Sequence, residues 1–310
     1  MKTNYHLLAL PFLALAASCS RLQAVRDIMK YRITLASSVQ EDTTVTEVDA
    51  KVDAQGNRVG LLSAFFGLDN GLPRVADRGV CKGAGGADGM PVIFSHEIDV
   101  GTMEAGDFKV TSASGRVGHV TCATLAPSDD AGERRTALLA GEFGSPEDQP
   151  ATVGIVGSIL SIDRSVNFRG ETIGVTRLED GASVVWAERV PREAWELGKT
   201  GTRLRWGGGT GCPAVTRDMV RVVWAGGVSK PGGGEADDKE REQYRVRVRH
   251  GDGSAAEVVP FALADLNDGD NNHLLCLDTE GTPESVSFPA GFLTDPRGDL
   301  NPATSIEVRR

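Results

Sequence analysis

Histidine is scarce in this sequence, and so is positive charge. Five histidines occur in 310 residues. His6 lies in an apolar N-terminal stretch, and His96, His119, His250 and His273 are far apart. No HExxH and no GxSxG stretch is present, so the zinc-protease and serine-hydrolase signatures are missing. Zinc would need clustered Cys and His, which the spacing does not supply. The formal net charge of -10 repels phosphate backbones and excludes nucleic acid as a partner. Aromatics make up only 5% of the chain, and long apolar runs with a helical period are rare, which argues against a helical protein.

Glycine, at 38 residues, is plentiful, as are short Val/Ile/Thr/Phe-rich runs between Gly, Asp, Asn and Pro clusters. That pattern predicts an all-β protein. A length of 310 residues is too long for one β domain and fits two of about 100–150 residues each. Basic residues in Tyr244 to Arg249 alternate with Tyr244, Val246 and Val248, the period of a strand with one wet face. The stretch Glu235 to Glu242 reads as a solvated acidic segment. Lys82 to Gly89, Gly207 to Gly209 and Gly232 to Gly234 read as mobile glycine loops. Pro191 to Gly198 reads as a short helix, with Pro at its start and Gly at its end.

The N-terminus reads as an address. Lys2 precedes the apolar run Leu7 to Ala17, which is far short of the roughly 20 residues of a membrane-spanning helix and ends in small residues. Residues 1–18 are therefore expected to be a signal peptide. Ala16-Ala17-Ser18-Cys19 resembles the lipobox of bacterial lipoproteins, with Ala16 where that family usually has Leu. The resemblance implies a lipid on Cys19, a tether over 19–57 and, from Ser20, an outer-membrane destination. The alternative is ordinary cleavage after Ala16. Setting Cys19 aside leaves Cys81, Cys122, Cys212 and Cys276, and four cysteines in an exported chain suggest two disulfides.

The sequence also repeats itself. Met90 to Thr176 can be laid against Met219 to Val308. Pro91 to Ser95 answers Val220 to Trp224, and Asp107 to Val110 answers Gln243 to Val246. Val120 to Ala126 answers Val258 to Ala264, and Thr136 to Leu139 answers His273 to Cys276. Val153 to Leu160 answers Val286 to Leu293, and Thr172 to Val175 answers Ser305 to Val308. Leu61 to Phe66 and Ser183 to Trp186 lead into the two copies. The predicted architecture is two tandem β-sandwich modules, 58–178 and 182–310, related by internal duplication, each with about seven short strands.

Val92-Ile93-Phe94-Ser95, then Ile98-Asp99, Thr102 and Asp107-Phe108-Lys109-Val110 resemble bacterial Ig-like modules. In that family the acid and the threonine shape the loop between the first strands. The second copy has Ala225-Gly226-Gly227 at that place. The resemblance implies adhesive, structural or spacer domains.

Cys81 and Cys212 occupy the same place in each unit, just before its first aligned strand. Cys122 and Cys276 lie on the two strands that flank the acidic loop. The predicted bridges are Cys81–Cys122 and Cys212–Cys276, one per module; the alternative is four free buried thiols.

The loop Asp265 to Asn272 is the densest polar cluster. Asp265, Asn267, Asp268 and Asp270 offer the oxygen ligands a hard cation such as Ca²⁺ takes, although Gly269 breaks the EF-hand pattern. The competing reading is a hairpin loop whose Asn, Asp and Gly bond to their own backbone. The corresponding loop of the first copy carries Asp129, Asp130 and Glu133. His273 could serve as a ligand or base, or be hydrogen-bonded in place. Trp186, Trp195, Trp206 and Trp224 gather early in the second module, as core or as a sugar platform.

The expected protein is a non-enzymatic cell-envelope lipoprotein, reaching the membrane through its N-terminal lipid and needing no cofactor. It would bind a protein or glycan, adhere or act as a spacer. A calcium- or glycan-dependent binder using the Asp265–Asn272 loop is the alternative, and an envelope hydrolase comes third.

Overall fold

The computed structural model describes residues 59–201 and 208–309. The expected signal peptide, Cys19, the tether and Trp206 lie outside the described residues, as does Gly207 of one glycine loop.

The chain is nearly all β, in four antiparallel sheets. The strands are β1 (Leu61–Ala64), β2 (Asp88–Phe94), β3 (Phe108–Ser112), β4 (His119–Thr124), β5 (Thr136–Glu142), β6 (Pro150–Ile155) and β7 (Thr172–Gly174). After them come β8 (Val184–Arg189), β9 (Asp218–Trp224), β10 (Arg245–Arg249), β11 (Ala255–Val258), β12 (Ala262–Ala264), β13 (Asn272–Leu277), β14 (Thr282–Phe288) and β15 (Thr304–Glu307). Sheet β1-β2-β5-β4 faces β3-β6-β7 across one core, and sheet β8-β9-β13-β12 faces β11-β10-β14-β15 across another. Taken in chain order, the two sandwiches connect their strands alike, except that β11 is an added edge strand in the second. In the first, Val117 makes only an isolated bridge to Thr111 at that place.

Alternation along each strand decides which side chains meet inside. Along Tyr244 and the β10 strand that follows it, Tyr244, Val246 and Val248 are buried, and Arg247 and Arg249 are exposed, as the sequence period requires. Phe94 packs edge-on against Phe168 at 4.9 Å in the first core, and Trp224 against Phe288 at 5.3 Å in the second. The loop after β2 is shaped by the two residues of the family resemblance. Asp99 Oδ1 accepts from Gly101 N, and Thr102 Oγ1 donates to the Asp99 carbonyl while accepting from Leu160 N.

Each sandwich has a long connection between its first two strands, folded back over the outer face of the sheet that holds those strands. Leu72, Ala76 and Cys81 of one connection cover Cys122 and Ala140; Val190 and Cys212 of the other cover Met219, Leu274 and Cys276. The bridges Cys81–Cys122 and Cys212–Cys276 fasten these connections down, in the pairing expected from the sequence.

Three local expectations change. The segment after Pro191 is helical only over Arg192–Ala194, as a 3-10 turn, because Trp195 folds back to donate Nε1 to the Val190 carbonyl at 3.0 Å. The stretch Glu235 to Glu242 is not wholly solvated. It forms a short helix, Asp238–Arg241, with a capping box between Asp237 and Glu240, and Glu240 is buried. Lys82 to Gly89 is pinned rather than loose, since Gly83 N and Gly85 N both donate to Asp77 Oδ1.

Candidate functional site

The two sandwiches are joined across a seam that sequence periodicity does not show. Phe65 and Phe66 follow β1, so their side chains leave on opposite sides. Phe66 enters the first core and Phe65 the second, and neither is exposed. Ile93 of β2 meets Trp186 of β8 and Val223 of β9. The outer faces of sheets β1-β2-β5-β4 and β8-β9-β13-β12 therefore meet, and every residue of β9 is buried.

This seam also contains charge. Arg135, 4% exposed, donates Nη1 to the Ser95 carbonyl at 3.1 Å and Nη2 to Glu188 Oε2 at 3.1 Å. Its guanidinium lies 4.3 Å over the Trp186 ring. Arg221 of β9 holds Glu188 at 3.6 Å, Glu133 at 3.9 Å and the Ala131 carbonyl at 3.4 Å. Gly132 approaches Arg221 so closely that a side chain there would overlap the guanidinium, and its φ of 90° also demands glycine. Ser128 Oγ donates to Asn271 Oδ1 at 2.8 Å. Asn271 Nδ2 donates in turn to Thr136 Oγ1 and to the Trp224 carbonyl at 2.6 Å. Lys199 pairs with Asp130 at 3.4 Å.

The acidic loops of the two modules thus face one another, with Arg221 between them. Of the four expected metal ligands, Asp265 and Asp268 are buried, and their carboxylates converge on Gly209, where a Cβ would lie 2.6 and 2.4 Å from their oxygens. Asp270 is spent on its own loop, accepting from Asn272 N at 2.8 Å and Asn272 Nδ2 at 2.6 Å. Asn267 is exposed and sits at φ 75°, a turn position. Among the described residues no group of three or more His, Cys, Asp or Glu is set around one point as metal ligands are. Asp265 Oδ2 and Asn272 Oδ1 are buried without a hydrogen-bond partner among the described residues.

So much buried acid shifts the carboxyls upward. Burial first, then the charges of Asp265 and Asp270, pushes Glu133 up to about 11. Burial, then the Asp265 charge, lifts Asp268 to about 7. Burial raises Asp265 against the pull of Arg221, and burial with the Asp268 charge raises Asp270 well above the usual range. The folded protein therefore keeps protons that unfolded carboxyls, with pKa near 4, have already lost. Stability from these groups is full near pH 4 and drains away as pH rises. His273 has the opposite sign. Burial lowers it to about 4, so its contribution is complete once the pH passes the ordinary histidine value of about 6.5. Between pH 6.5 and 8.5 stability should therefore fall, by about 1.4 kcal/mol per pH unit for each proton the fold retains. Thermal melts across that range check this, and Glu133→Gln should flatten the slope.

His273 is neither ligand nor surface base. It is 3% exposed, and its Nδ1 meets the Tyr244 hydroxyl at 2.8 Å. That hydroxyl accepts from Trp224 Nε1 at 3.0 Å and completes the chain by donating to the neutral imidazole. The tryptophans separate. Trp224 is core, Trp186 lies in the seam, and Trp195 is half-buried at the far end of the second module. Sequence reasoning missed Arg135 and Arg221 as buried countercharges. The available signal was Arg221 set among Val220, Val222 and Val223.

No family model matches the chain, and no curated protein does. Among solved structures, the N-terminal part of the bacterial S-layer protein SbsC is similar over 81% of this chain, at 10% identity and a TM-score of 0.25. This chain spans 44% of that one, and a likeness at that score carries no argument.

Proposed function

We propose that the protein is a non-enzymatic component of the cell envelope, anchored through lipid on Cys19, in which two Ig-like sandwiches derived from one duplicated unit act as a rigid binding, adhesive or spacer element. The observation that supports it most is the seam. A hinge between modules would expose its linker and keep its interface wet. Here Phe65 crosses into the neighbouring core, and Arg135 and Arg221 are buried between the sheets with the half-buried Glu188 as their shared partner. The two disulfides fit an extracytoplasmic location. The binding of His273 into a core hydrogen-bond chain speaks against its use as a catalytic base.

Two measurements test the reading. Spin labels at the exposed Val117 and Val259, one on each module, should give one narrow distance distribution; a broad one would refute the rigid element. Radiolabelled fatty acid should enter the wild-type chain and not Cys19→Ala.

Calcium at the seam is the second reading, favoured by the buried, unpartnered Asp265 Oδ2. If it holds, millimolar Ca²⁺ raises Tm in the wild-type protein and not in Asp265→Asn. An unchanged melt removes it.

A further inference from the structure

The chain carries a large negative charge, yet one pocket in it is positive. At the end of the second module away from the seam, an open pocket of about 410 Å³ is lined by Arg189, Arg192, Arg217, Trp195, Asp218 and Thr282, with Val190, Pro191 and Pro283 as its apolar patches. Its one acid is already neutralised. Asp218, whose side chain is 1% exposed, takes a two-point bond from Arg189, Nε to Oδ1 at 3.0 Å and Nη2 to Oδ2 at 2.8 Å. Two positive charges are left over, on Arg192 and Arg217.

Arg192 is held in place for a ligand, and Arg217 lies exposed beside it. Trp195 is fixed by its bond to the Val190 carbonyl, and the Arg192 guanidinium lies 5.0 Å over its ring. Arg192 spends one nitrogen on the Arg217 carbonyl at 3.3 Å, which brings it against the neighbouring arginine's backbone. Arg217 is exposed, its backbone is bonded to Leu277, and its side chain makes no ion pair or hydrogen bond among the described residues. Of the acids around it, Glu196 is engaged by Lys199 and Glu284 by Arg247 and Arg249, while Glu193 and Asp278 are exposed and bond to neither arginine among the described residues.

Two guanidinium forks recognise a carboxylate or phosphate. Proline and valine surfaces beside them suit the C–H face of a sugar ring, and Thr282 adds a hydroxyl. The volume lies within the range of small-ligand sites. We propose that this pocket binds an anionic sugar unit of an acidic glycan, its carboxylate or phosphate held by Arg192 and Arg217 and its ring lying on Val190, Pro191 and Pro283. The proposal rests on the protein being a binder and not on the rigidity of the seam, so a failed distance measurement leaves it standing, and its own failure leaves the seam standing.

The test is calorimetric titration of the full chain with trigalacturonate, glucose 6-phosphate, neutral maltotriose and inorganic phosphate. Binding of the uronate, of the sugar phosphate or of both is expected, weakening with salt, and which one binds identifies the anion. Arg217→Ala and Arg192→Gln should each lower the affinity about tenfold with Tm unchanged. The proposal is overturned if neither charged sugar binds, if maltotriose or inorganic phosphate binds as tightly, or if both variants bind like wild type.

Discussion

Changing Arg135 to Met is expected to lower the free energy of unfolding by about 2–3 kcal/mol, the range for hydrogen bonds to a charged group, because Arg135 is buried while its partner Glu188 keeps 23% of its side chain exposed. Arg135 is the point where three parts of the molecule meet: the Ser95 carbonyl after β2, Glu188 on β8 and the Trp186 ring. Methionine keeps much of the stem's packing and removes the charge and the donors. Glu188 is then left with Arg221 at 3.6 Å, a longer contact than the one lost. The cost thus comes chiefly from the lost guanidinium bonds, since the Glu188 side chain is partly exposed. In a double-mutant cycle with Glu188→Gln, a coupling of more than 1 kcal/mol is expected. Chemical denaturation gives both numbers, and a loss below 1 kcal/mol for Arg135→Met would mean that the guanidinium packs without bearing charge-pair energy.

The Cys212–Cys276 bridge should be of comparable weight. It joins residues 64 apart, and a loop of that size corresponds to about 4 kcal/mol in the chain-entropy picture. Both sulfurs are fully buried, in the cluster under Trp195. Replacing the pair by Ala should lower Tm by roughly 8–16 °C and loosen the β8–β9 connection. Cys81–Cys122, with a separation of 41, should cost slightly less. If the double Ala variant melts like wild type, the connection is held by its apolar packing alone.

Much of the architecture could be read from the residues because strands announce themselves by alternation and turns by glycine and asparagine. β2, β3, β5, β6, β9, β10 and β13 fall where the repeated pattern puts them, and the bridges follow from cysteines on the strands that border the acidic loop. What alternation cannot reveal is a surface that becomes interior when two bodies meet. Arg221 on β9 and Arg135 just before β5 look like solvent-facing charges among apolar neighbours. They are buried because the opposite module covers them. The candidate site was half legible for the same reason. The density of acid in Asp265 to Asn272 was plain, whereas its confrontation with Glu133 depends on a contact between residues over a hundred positions apart.

The pair of phenylalanines after β1 has one further consequence. Phe66 fills one hydrophobic interior while its neighbour Phe65 fills the other, so a single peptide bond links the two. Whatever pulls on the chain ahead of β1 loads both bodies at once. A tug from that end cannot peel away the nearer sandwich first.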